Sequence, residues 1–152
     1  MGHEPLKVNE CGLMPRCMTL RSLPLLAVGA VLVAAAPLDL KTQMTTVVDP
    51  ASKAFWAAGN DPPEPDTPAA AASRWAEGAK AATTLQETGR ALLKAPYAKG
   101  AEWNGFAQKQ VDAATAGAAA IAKKDTEAAF AAGGDMYEAC NGCHAKFQKG
   151  RQ

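Results

Sequence analysis

The stretch AEWNGFAQKQVDAATAGAAAIAKKDTEAAFAAGGDMYEACNGCHAKF, residues 101–147, decides the fold. Within it Trp103, Phe106, Ala107, Ala114, Ala118 and Ile121 return to one side of a 3.6-residue period, which predicts a helix over 101–123. Lys123 and Lys124 suit its carbonyl end, where the backbone dipoles favour cations. Asp125 is a natural N-cap for the next helix, which is expected to reach about Lys149. Along that helix Phe130, Tyr137 and His144 recur every seven residues, while Met136, Cys140, Cys143 and Phe147 recur every three or four. Two long helices joined by so short a break favour an antiparallel pair.

Two more helices lie upstream. Thr67 caps one with Pro68 at its first position, and its apolar stripe (Trp75, Ala79, Ala82, Leu85, Gly89, Leu92, Leu93) carries it to about Lys94. The turn Pro96–Gly100 then leads into the helix at 101. GNDPPEPDTP, residues 59–68, holds four prolines in ten residues and reads as a loop. Before it, Leu40, Met44, Val47, Val48, Ala51, Phe55 and Ala58 mark a helical face between Leu38 and Ala58. Asp49-Pro50 interrupts that face, because proline removes a donor and disfavours helix at its predecessor; a kink or break is expected there. Apolar residues make up 48% of the chain but aromatics only 6%, so alanine supplies much of the core, and no strand runs are present. The expected fold is all-α, an antiparallel four-helix bundle formed by residues 37–152.

Residues 1–36 are read as a secretory signal. LPLLAVGAVLVAAA, residues 23–36, is an apolar run preceded by Arg16 and Arg21, with small residues at its end. It is short for a membrane span, which needs roughly 20 apolar residues. Pro37 disfavours cleavage directly after Ala36, so cleavage after Ala35 or an uncleaved N-terminal anchor stays open. The polar residues 1–13 suggest a later start, at Met14 or Met18. The expected destination is the periplasm, with membrane contact only if the signal is retained. Removing the segment takes away Cys11, Cys17 and His3, and loss of Lys7, Arg16, Arg21, Glu4 and Glu10 leaves thirteen charges of each sign. So balanced a charge gives no support to nucleic-acid binding.

What remains is Cys140-Asn141-Gly142-Cys143-His144, a C-x-x-C-H sequence that signals covalent attachment of one haem c. Cysteines three apart share a helix face, so both thiols can add to the vinyl groups along one haem edge. His144 then follows as the axial iron ligand. Three other readings compete. A thioredoxin-like C-x-x-C needs a βαβ context, a structural zinc site needs four ligands, and a local disulfide explains neither His144 nor the helix.

The motif and its place in the last helix resemble the class II c-type cytochromes, the cytochrome c-prime group. Eight residues follow His144, and His144-Ala145-Lys146-Phe147 is similar to the group's motif, with an aromatic three residues after the histidine. Gln148 departs from it, standing where a basic residue is usual, with Lys149 one place later. Only residues 140–147 are specific; helix count and motif position extend the likeness over residues 37–152. The resemblance implies a four-helix bundle, and relatives that dimerise through the first two helices, where this chain carries its proline-rich loop.

The sixth iron ligand separates two functions. His144 is the single histidine after the signal, so bis-histidine ligation is excluded by count, and the methionines left are Met44 and Met136. Met136 lies two turns before His144 on the same helix and cannot reach across the ring. Met44 falls where the Met-ligated members of the class supply theirs; the alternative is that it fills core, a common use of methionine. His/Met ligation implies a one-electron carrier that meets redox partner proteins. An open sixth site implies a protein binding nitric oxide or carbon monoxide. No second histidine or distal acid–base pair suggests an enzyme. Phe55, Trp56, Tyr137 and Phe147 are candidate haem walls, and Lys123, Lys124, Lys146 and Lys149 candidate steering charges for an acidic partner. Core packing and a solvated helix face are the plainer readings of these two sets.

Overall fold

A computed structural model describes residues 36–62 and 64–148. Residues 1–35 of the segment expected to be a secretory signal, and Lys149, lie outside the described residues. Helices α1 (Leu40–Gln43), a π-turn (Met44–Val48) and α2 (Asp49–Gly59) follow one another without a gap; α3 spans Pro68–Leu92, α4 Ala101–Lys123 and α5 Thr126–Phe147. No strand occurs among the described residues.

The helix ends are set by local chemistry. Asp39 accepts a hydrogen bond from the Thr42 amide at 3.0 Å, Thr67 from Ala70 at 3.2 Å and Asp125 from Ala128 at 3.0 Å. Each carboxylate or hydroxyl satisfies an amide that the helix itself leaves unpaired. Lys124 closes α4 in the left-handed region (φ 55°), where its amide reaches the Ala120 and Ile121 carbonyls, and Asp125 at once opens α5. Arg74 grips Asp66 through two bonds of 2.7 and 3.1 Å and ties the 60–67 loop to α3.

α2 packs on α3, α3 on α4, α4 on α5, and α5 back on α2, so the four arms close a ring. The core runs through Val48, Phe55, Leu85, Ile121 and Met136, filled in by alanines from α2, α3, α4 and α5. Phe55, Leu85 and Met136 are fully buried. Small residues let the backbones approach. A Cβ on Gly59 would stand 2.4 Å from the Phe130 amide nitrogen, so α2 and α5 touch almost backbone to backbone there. The Phe55 ring crosses the bundle interior and occupies the place where a Gly117 side chain would be. A second apolar cluster, Leu92, Tyr97, Trp103 and Ala107, caps the other end of the bundle.

The four helices expected from the sequence are present, with three differences. Instead of a kink or break at Asp49-Pro50, a π-turn over Met44–Val48 leads directly into α2, which Asp49-Pro50 opens. The α3 stripe is buried as expected at Ala82, Leu85, Gly89 and Leu92, but Gly78, Ala81 and Thr88 join it and Ala79 is exposed. Phe130 and Tyr137 are 64% and 56% exposed and lie on an outer face, while Met136, Cys140 and Cys143 face the bundle and His144, next in the heptad, is half-buried. Among the described residues no helix is long and apolar enough to cross a membrane.

Candidate functional site

Because α5 runs antiparallel to the first arm, its C-terminal motif returns to the level of the π-turn. The two elements border one groove. Cys140, Cys143 and His144, with Ala139, form the α5 side; Met44 and Val48 face them from the π-turn. Trp103, Phe106, Ala107 and Gln110 of α4 and Leu92 of α3 make the remaining wall. Cys140 packs against the main core and Cys143 against the Leu92–Trp103 cluster, so the motif joins the two.

The wall is apolar apart from groups already paired. The Gln110 amide donates to the Leu85 carbonyl at 3.0 Å and to the Thr88 hydroxyl at 3.1 Å. The Trp103 indole donates to the Leu92 carbonyl at 2.8 Å, satisfying the end of α3. Phe147 sets its edge against Trp103 (5.2 Å between ring centres) and Phe106 (6.4 Å). Phe106 in turn lies so close to α5 that a Cβ on Gly142 would meet its ring at 2.5 Å. The glycine inside the motif therefore gives the ring its seat. Lys99 stands 4.7 Å above the Trp103 ring and Lys109 5.9 Å above Phe106, while Lys146 pairs with Glu102 at 2.9 Å.

Both thiols are held in the protonated form. Burial, reinforced by the neighbouring Cys143, pushes Cys140 up to about 11. Burial also raises Cys143, and the Lys99 ammonium opposes part of that rise. Among the described residues no group of three or more His, Cys, Asp and Glu side chains is arranged to hold a bare metal ion. Cys140, Cys143 and His144 instead lie along one groove. The groove retains a cavity of about 30 Å³, one water's share of volume. The two sulfurs, the imidazole and the apolar wall are a donor set and lining that fit a haem, and the groove would have to open to admit the macrocycle.

The four residues singled out from the sequence, Cys140, Cys143, His144 and Met44, line this one groove. The aromatic walls differ from those expected. Phe55 is core, 1% exposed, and Trp56 and Tyr137 belong to a separate apolar groove of about 340 Å³ with Phe130 and Gly133. The Trp56 indole is spent there on the Gly133 carbonyl at 2.9 Å. Of the expected four only Phe147 adjoins the motif, and Trp103 and Phe106, which periodicity reads as plain core, are the true walls. Nor do the lysines gather: Lys124 and Lys146 stand at opposite ends of α5, about 33 Å apart at 1.5 Å per residue. Comparison with family models, with curated proteins and with solved structures returned no match to this chain.

Proposed function

We propose that this chain is an exported mono-haem c-type cytochrome of the class II kind, a periplasmic one-electron carrier with His144 and Met44 as the iron's axial ligands. The observation that carries the reading is that Met44, ninety-six residues before the motif, lines the same groove as Cys140, Cys143 and His144 from the opposite arm. A bound haem supplies the one-electron couple; the protein supplies its setting. Cys140 and Cys143 would hold the haem covalently through their sulfurs. The His144 imidazole and the Met44 thioether would be the iron's donors, a pair that raises the potential. Leu92, Val48, Ala107 and Trp103 exclude water, and the tied-off Gln110 leaves no unpaired dipole in the wall. Within this reading the fold binds, orients and insulates, and no side chain has a proton to move. An open sixth site for nitric oxide or carbon monoxide would need Met44 withdrawn from the groove.

Expression in a host with c-type maturation tests this directly. The expected product keeps its haem through a denaturing gel and shows the far-red methionine–iron band in the ferric state. The ferrous protein should bind carbon monoxide poorly, and Met44→Ala should bind it readily. A chain without covalent haem refutes the cytochrome reading; a high-spin spectrum unchanged in Met44→Ala refutes the ligand assignment.

A further inference from the structure

The first arm carries one residue more than an α-helix would need between Met44 and Asp49. The Asp49 amide donates to the Met44 carbonyl, five residues back, although the backbone keeps right-handed helical angles at Gln43, Met44, Val48 and Asp49. Pro50 follows at once. In an unbroken α-helix its ring would press on the carbonyl of residue 46. Widening the preceding turn by one residue relieves that contact. Flanking hydroxyls support the stretched ladder: Thr45 Oγ1 donates to the Lys41 carbonyl at 3.0 Å, Thr46 Oγ1 to Thr42 at 2.7 Å, and Ser52 Oγ to Val48 at 2.8 Å.

An added residue rotates everything upstream by about 100° relative to everything downstream, since one residue is that fraction of a 3.6-residue turn. Downstream, α2 cannot turn to compensate. Phe55 is set against Gly117, the Trp56 indole is bonded to Gly133, and Gly59 touches the α5 backbone. The rotation therefore appears entirely in α1 and the turn. Without it, Thr45, now exposed, would hold the groove position, and Met44 would move to the buried place of Gln43.

Resting on the cytochrome reading, we propose that Pro50 is a positioning residue: through the π-turn it sets the rotational register that delivers the Met44 sulfur to the groove. Pro50 touches neither haem nor iron; its effect is on which side chain faces them. A new class of variant follows, in which the ligand is lost with its own residue intact.

The test is a register swap read by spectroscopy. Pro50→Ala should lose the far-red methionine–iron band and gain a ferrous carbon monoxide adduct, at unchanged helicity. The exchange Met44→Thr with Thr45→Met should do the same in the Pro50 chain but restore the band in the Pro50→Ala chain. A haem-independent arm uses Thr45→Cys with maleimide and peptide mapping: labelling should be severalfold slower in the Pro50→Ala background than in the chain that keeps Pro50, because residue 45 then turns into the groove. Retention of the band in Pro50→Ala, failure of the swap to restore it, or equal labelling at position 45 in the two backgrounds would each overturn the proposal. Absence of covalent haem from the parent refutes the cytochrome reading, and the labelling arm still decides whether Pro50 sets the register.

Discussion

The contact between Phe55 and Gly117 carries a sharp energetic prediction, because it fixes the depth at which α2 sits in the bundle. A Cβ built on Gly117 stands 2.2 Å from Phe55 Cζ and 2.4 Å from Cε2. Relaxing that overlap to ordinary carbon contact requires about 1.5 Å of movement. Phe55 is 1% exposed and cannot yield toward solvent. Overpacking of this kind costs about 3 kcal/mol at the upper end of its range, against about 1 kcal/mol gained by replacing a helical glycine with alanine. Gly117→Ala should therefore destabilise by about 2 kcal/mol. Phe55→Ala alone should cost about 3–5 kcal/mol through the cavity it leaves. In that background the clash is gone, so adding Gly117→Ala should stabilise by about 1 kcal/mol. The sign of one substitution thus reverses with its neighbour, a coupling of about 3 kcal/mol. Urea denaturation of the four proteins, followed by far-ultraviolet circular dichroism, measures it. Additivity within about 0.5 kcal/mol, or a stabilising Gly117→Ala in the parent, would refute the packing argument.

Other outcomes follow from single sites. In the folded, haem-free chain the thiolate of Cys140 forms only near pH 11, so at pH 8 its alkylation should be roughly a hundredfold slower than in the denatured chain, and should climb as pH rises toward that value. Cys143, with Lys99 beside it, should react first, and Lys99→Ala should narrow the difference; peptide mapping after timed alkylation reads both. Trp56→Phe removes the bond to the Gly133 carbonyl and should cost about 1 kcal/mol in urea denaturation. Asp125→Ala removes the α5 N-cap, with an expected loss of about 1 kcal/mol and faster amide exchange in the first turn of α5.

Much of this architecture is legible in the chain itself. Thr67-Pro68, Asp125 and the apolar spacing of 101–123 set helix boundaries through interactions within a few residues, which sequence displays directly. C-x-x-C-H is equally local, since its geometry is the pitch of one helix. The stripe of α3 was harder to read, because alanines crowd every face and alanine fits both core and surface. The aromatics divided for a related reason. Phe55 and Phe106 both sit on apolar helix faces, but one faces Gly117 across the bundle and the other Gly142 in the motif.

The sequence by itself determined four helices with their caps and loops and displayed a C-x-x-C-H motif on the last of them, with Met44 as the upstream thioether outside that helix. The tertiary structure decided that Met44 lines one groove with Cys140, Cys143 and His144, that Trp103 and Phe106 wall it, and that a π-turn rather than a helix end precedes Asp49-Pro50. The division has one physical cause. Capping and covalent spacing act over three or four residues, whereas a rotation of about 100° in the first arm is set by what α2 packs against from Gly117 to Gly133, contacts that exist only once the bundle has closed.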